Sequence, residues 1–271
     1  MSSKISLKEP LVSVEWLHEN LNATNLIVLD GTIKKAIAES IPTARYFDIK
    51  KKFSDVSGEF PSTFPSEAQF QNEAKVLGIN NDSAIVISDD KGIYSCARVW
   101  WLFKAFGYNN VAILNGGLPA WKAAGFKIEN IKDYSGDLGD LVANHQSRYM
   151  KFFDDMSKAS KENSCQIIDA RSSARFKSEV PEPRAGLRNG TIPNSKNMPF
   201  KSLLDDDGLL KSKAELEDIF SKMINKEDVV VFSCGSGITA CVLALGAEIS
   251  GHKNISVYDG SWTEWGSLVK E

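Results

Sequence analysis

The sequence predicts an α/β protein of two tandem domains, each a mostly parallel sheet flanked by helices on both faces. Two observations carry that prediction. Short β-branched apolar runs alternate with amphipathic segments along the chain, the pattern of strands covered on both faces by helices. The second half then repeats the first, element by element, with a longer insertion.

In chain order, NLIVLDGT (25–32) reads as a buried strand ending in Asp30, and CQIIDARS (165–172) as its counterpart ending in Asp169. An Ile-Pro step follows each, Ile41-Pro42 and Ile192-Pro193. SAIVISDD (83–90) matches DVVVFSCG (228–235), again as strands. ARVWWLFKAFG (97–107) and TACVLALGAEISG (239–251) read as helices that stop at Gly. Each is followed by a short apolar strand and a Gly step leading to tryptophan, NGGLPAW (115–121) and DGSWTEW (259–265). Polar and Gly residues break the pattern over 131–147, which predicts a linker between a first domain at 10–130 and a second at 148–271. KFFDDMSKAS (151–160) opens the second domain as a helix.

With 271 residues, 42% apolar and 25% charged, the chain has the balance of a soluble globular protein. A formal net charge of −3 argues against nucleic acid or an anionic membrane as partner, and no apolar stretch approaches the roughly 20 residues of a bilayer span. MSSKISLKEPLVS carries no targeting pattern, so a cytoplasmic, reducing location is expected. Cys96, Cys165, Cys234 and Cys241 are too sparse for a disulfide framework, and His18, His145 and His252 are scattered. No metal and no cofactor are expected.

The chemistry concentrates in CGSGITA. Cys234 follows VVVF and so stands at the carboxyl end of a central strand, the edge where open α/β sheets bind ligands. Gly235 and Gly237 let successive N–H groups turn inward as an anion nest, a helix start near Ile238 or Thr239 adds its positive end, and Ser236 and Thr239 bring hydroxyls. Such a cradle stabilises a thiolate or a persulfide anion. Cys96, Cys165 and Cys241 are read as structural, with Cys241 about two helical turns beyond the loop and facing the core. A cysteine phosphatase would need C-x5-R, but Ala240 stands six residues after Cys234 and the loop holds no cation.

CGSGITA, DARSSARF, EPRAG and DGSWTEW together resemble the two-domain rhodanese family of sulfurtransferases over essentially the whole chain, and within it the mercaptopyruvate-using members, whose cysteine loop is neutral. The resemblance implies two rhodanese-like domains, the first non-catalytic. Asp89 and Asp90 stand there where a cysteine would be. It implies Cys234 as nucleophile, and Arg175 and Arg184 with Gly235, Ser236, Gly237, Ile238 and Thr239 as the substrate-binding set. Guanidinium forks suit the carboxylate and carbonyl of a 2-oxo acid. Arg171, beside Asp169, is read as one half of a structural ion pair. The implied activity moves sulfur from 3-mercaptopyruvate through a cysteine persulfide to a thiol, thioredoxin or cyanide acceptor, releasing pyruvate. Thiosulfate as donor, a persulfide relay and an inactive scaffold are the alternatives. The chain departs from the family in the segment SDVSGEFPSTFP (54–65), where Ser62 and Thr63 replace a histidine, so a Ser-His-Asp relay through Ser236 is not expected.

Overall fold

The computed structural model describes residues 4–33, 39–162 and 164–270. Residues 34–38 of the first predicted domain, Glu271 at the end of the second, and the first three residues of the stretch read for targeting lie outside the described residues. The chain forms two compact units: Met1–Asp55 with Phe64–Gln146 and Asp206–Leu209, and Val56–Thr63 with Ser147–Asp205 and Leu210–Glu271.

The first unit runs β1 (Leu11–Val12), α1 (Val14–Asn20), β2 (Leu26–Asp30), β3 (Glu39–Ser40), β4 (Arg45–Tyr46), α2 (Glu67–Val76), β5 (Ala84–Ser88), α3 (Cys96–Ala105), β6 (Val111–Leu114), α4 (Gly117–Ala123) and β7 (Glu129–Asn130). Five strands form a parallel sheet in the order β1-β6-β5-β2-β4, and β3 pairs antiparallel with β7. Strand alternation sends Val28 and Val86 to one face, where they pack with Val14 and Leu17 of α1 and Leu118 and Trp121 of α4. Around α3, Phe103 meets Phe70 of α2 edge-on at 5.2 Å.

The second unit runs β8 (Met150–Lys151), α5 (Phe153–Glu162), β9 (Gln166–Asp169), α6 (Ser173–Phe176), β10 (Ser195–Asn197), α7 (Lys213–Ser221), β11 (Val230–Ser233), α8 (Ala240–Ile249), β12 (Ile255–Tyr258) and α9 (Ser261–Leu268). Its sheet is also parallel, in the order β10-β9-β11-β12-β8. That is the first sheet's order read from the other edge, so the sequence repeat is a repeat of topology. Ile167 and Val231 face Met156 of α5 and Trp262 and Trp265 of α9. Phe232 faces the other way, toward Phe220 of α7 at 6.3 Å. A capping box between Ser212 and Glu215 starts α7.

The stretch 131–147, expected to link the two domains, hydrogen-bonds along the first unit over 139–146. Gly139 N donates to Lys75 O at 2.8 Å, Leu141 N to Ile79 O at 3.1 Å, and Gln146 N to Ala105 O at 2.7 Å. Its polar residues serve that course, with Asn81 N donating to Asp140 Oδ1 at 2.8 Å. Among the described residues no helix is long and apolar enough to cross a membrane, and no cluster of His, Cys, Asp or Glu could hold a metal ion.

Candidate active site

Register places the reactive edge. In the second sheet Ser233 pairs with Asp169, so Cys234 is the first residue beyond the carboxyl end of β11. It is buried, 1% exposed. The chain then turns through Gly235–Thr239 into α8, with Thr239 at the N-cap. Gly237 takes φ +72°, a left-handed conformation that glycine adopts without penalty.

The loop is bolted to the start of α9. Trp262 N donates to Cys234 O at 3.0 Å and Thr263 N to Gly235 O at 2.9 Å, while Thr263 Oγ1 donates to the same Gly235 carbonyl at 2.6 Å. Ser261 Oγ accepts from Cys234 N and from Gly237 N, each at 3.1 Å. The same hydroxyl lies 2.9 Å from Tyr258 O and 3.9 Å from Cys234 Sγ.

The amides of Gly235, Ser236, Ile238 and Thr239 donate to no acceptor among the described residues. The equivalent loop of the first unit shows what such amides do when an anion is supplied. There Ser88 pairs with Asp30, and Asp89 follows it in the position of Cys234. Its carboxylate accepts from the amides of Lys91 (2.8 Å), Tyr94 (3.1 Å) and Cys96 (2.8 Å) and lies 3.3 Å from Ser95 Oγ. Burial pushes the Asp89 carboxyl up, against the pull of the Cys96 and Lys91 amides. Counting from Asp89 and Cys234, Lys91 and Tyr94 correspond to Ser236 and Thr239, whose amides are the free ones.

Arg175 reaches this loop from α6. Ser172 Oγ caps that short helix by accepting from Arg175 N at 3.4 Å. The guanidinium comes so close to Gly235 that a Cβ there would sit 3.0 Å from Arg175 Nη2. Close approach, rather than a left-handed φ, is the reason for glycine at this position. Arg175 Nη2 meets Glu182 Oε2 at 2.5 Å, and the other oxygen of Glu182 takes Arg171 Nη1 at 2.8 Å. Arg171 is wholly buried, with Asp169 at 2.7 Å, Gly190 O at 2.9 Å and the Trp262 ring 4.8 Å away. Burial pushes the Asp169 carboxyl up, and the Arg171 guanidinium works against it. Arg171 is therefore the structural ion pair that its place beside Asp169 predicts.

The structure thus brings Cys234, Gly235–Thr239 and Arg175 together. Arg184 is exposed in the segment between α6 and β10, and its guanidinium has no partner among the described residues. The hydroxyls of Ser236 and Thr239 are half-buried and make no hydrogen bond among the described residues. Cys241 sits in the first turn of α8, not two turns beyond the loop, because the helix begins only at Ala240; its Sγ lies 3.3 Å from Gly237 O. Sequence reasoning missed Ser261, Thr263 and Glu182. One signal pointed to the first: DGSW holds a serine where the matching NGGL holds Gly117.

The rhodanese-like domain family matches residues 13–124 and 153–268. The chain is 36% identical to thiosulfate/3-mercaptopyruvate sulfurtransferase 1, mitochondrial, of Arabidopsis thaliana, over 97% of this chain and 78% of that one. It is 34% identical to the 3-mercaptopyruvate sulfurtransferase of Escherichia coli K12 over 94% of both chains. Its fold is similar to the crystal structure of SseA from Escherichia coli, with a TM-score of 0.83 and 31% identity, covering 94% of this chain and 99% of that one. The chain belongs to the rhodanese-like family, as a tandem pair of its domains.

Proposed function

We propose that this sulfurtransferase takes sulfur from 3-mercaptopyruvate onto Cys234 and passes it on from there. The observation that carries the reading is a buried cysteine at the rim of a neutral loop whose free amides lie beside an arginine. Arg175 and Arg184 hold the carboxylate and carbonyl of the donor. The Cys234 thiolate attacks the mercapto sulfur, the C–S bond breaks, and its electron pair leaves as the enolate of pyruvate. The mercapto proton then moves to the enolate carbon, leaving pyruvate and the Cys234 persulfide anion. No outside proton donor is consumed, so the missing histidine does not break the balance. The amides of Gly235, Ser236, Ile238 and Thr239 hold the outer sulfur until an acceptor removes it.

Charge supports this donor. Arg171 and Arg175 are matched by Asp169 and Glu182, so the group of four is formally neutral. Arg184 is left to meet a single carboxylate, whereas the thiosulfate dianion would find little positive charge. A small thiol, thioredoxin or cyanide is the acceptor. A cytoplasmic location is part of the same reading, in keeping with four cysteines that are all free thiols, and fractionation of cells checks it.

The test is sulfur transfer to cyanide from each donor, with Cys234→Ser as control. A preference for 3-mercaptopyruvate that vanishes in the variant is the expected result. A preference for thiosulfate would overturn the donor while leaving the persulfide route, and transfer from neither would overturn both.

A further inference from the structure

Ser261 holds φ +50° although it carries a side chain, and it is fully buried. L-residues rarely adopt that conformation, and a buried example beside a reactive group calls for a compensating role. The chain contains its own control. In the first unit the matching residue is Gly117, with φ +55°, and the next amide in each unit bonds back to the same place: Leu118 N to Asp89 O and Trp262 N to Cys234 O, each at 3.0 Å. Glycine builds this turn where no cysteine is served. Serine builds it where one is.

The hydroxyl has a single proton and two lone pairs. The amides of Cys234 and Gly237 take up the lone pairs. The proton has two destinations within reach, the Tyr258 carbonyl at 2.9 Å and Cys234 Sγ at 3.9 Å. With a neutral thiol or an intact persulfide, the carbonyl is the stronger acceptor. With negative charge on Sγ, a charge-assisted bond to sulfur competes.

We infer that Ser261 is a further positioning residue of the sulfur-transfer site, fixing the Cys234 loop through two amides and turning its hydroxyl from Tyr258 O to Sγ whenever that sulfur is a thiolate. The inference rests on the proposed persulfide reading. Charge stands on Sγ twice in that cycle, before the thiolate attacks the donor and again when the acceptor takes the outer sulfur and the thiolate leaves. One hydroxyl therefore serves both half-reactions, and the carboxylate-binding arginines are not involved.

Ser261→Gly and Ser261→Ala test this. Glycine removes the hydroxyl in a turn that Gly117 already forms, and alanine removes it while keeping Cβ. Cys234 is alkylated with iodoacetamide at neutral pH and followed by mass spectrometry of its peptide. Discharge of the preformed persulfide to cyanide is measured in single turnover, and thermal unfolding checks the fold. Loss of one charge-assisted hydrogen bond predicts that both rates fall about ten- to a hundredfold in both variants, with the donor KM little changed and Ser261→Gly as thermostable as the parent. Wild-type rates in both variants, or slowing that only tracks lost folded protein, would overturn the role of Ser261. Alkylation needs no sulfur donor, so a parent protein that transfers no sulfur would defeat the proposed function separately.

Discussion

Asp89 and Cys234 occupy the same position in the two sheets, each the first residue past a strand whose last residue pairs with the aspartate of its neighbour, Ser88 with Asp30 and Ser233 with Asp169. The carboxylate of Asp89 binds the amides of its own loop. Cys234 leaves two of the three matching amides, those of Ser236 and Thr239, without an acceptor among the described residues, while the third, Cys241 N, donates to Ile238 O at 3.2 Å. The loop of the first unit thus fills its own cradle, and the difference between the two loops is a single side chain whose carboxyl group accepts from the amides.

Replacing Asp89 by Ala removes the acceptor of three amides at a site that is almost wholly buried. Unpaired buried donors cost about 1–3 kcal/mol, so the urea midpoint of the first unit should drop accordingly while kcat for sulfur transfer is kept below the unfolding range. An unchanged midpoint would mean that water or relaxation satisfies those amides.

Gly235→Ala tests the approach of Arg175. The added methyl would sit 3.0 Å from Nη2, and the guanidinium, tied to Glu182, has little freedom to withdraw. KM for 3-mercaptopyruvate should rise about tenfold, in line with one lost ionic hydrogen bond, with a smaller change in kcat. An equal fall in kcat with constant KM would instead place the damage at the sulfur.

Arg184 should behave differently from the two arginines that Glu182 bridges, Arg171 and Arg175. Glu182→Ala leaves buried Arg171 with one fewer counter-charge, a change that costs about 3–5 kcal/mol when a buried pair is broken, and the protein should unfold well below the parent. Arg184→Ala touches an exposed, unpartnered side chain. Its stability should stay within about 0.5 kcal/mol of the parent while KM rises. If Arg184→Ala leaves KM where it was, Arg184 has no part in donor binding.

What could be read from the sequence follows from how local each feature is. The strand runs, the helix stops at Gly and the cysteine loop are encoded within ten residues or so, and the internal repeat doubled each signal, so both sheets and the place of Cys234 were legible. Glu182 and Ser261 were not. Glu182 is a carboxylate in a polar, proline-flanked loop, and only folding reveals that it lies between Arg171 and Arg175 with its side chain 1% exposed. Ser261 meets Cys234 across 27 residues of chain, and nothing in a serine's local context states its φ. The neutrality of the loop was legible in its own residues. Arg175 was joined to it only through the family resemblance, because α6 and the loop belong to different strand–helix units, and its close approach to Gly235 needed the structure.

A pH prediction comes from the far end of α8. His252 is 3% exposed and its ring lies tilted against that of Phe220 at 5.5 Å, and its Nδ1 finds no hydrogen-bond partner among the described residues. Burial holds its pKa below the ordinary 6.5, and the Lys226 charge pushes the same way against weaker opposition from the Asn225 backbone and Asp228. The folded state therefore keeps this imidazole neutral, while the unfolded chain takes up a proton below about pH 6.5. The stabilisation is complete above that pH and is lost as pH falls toward the lowered folded value. Urea unfolding from pH 7.5 to 5 should show stability falling through this window in the parent, and a shallower fall in His252→Gln. Parallel curves for the two proteins would assign the acid sensitivity to other groups.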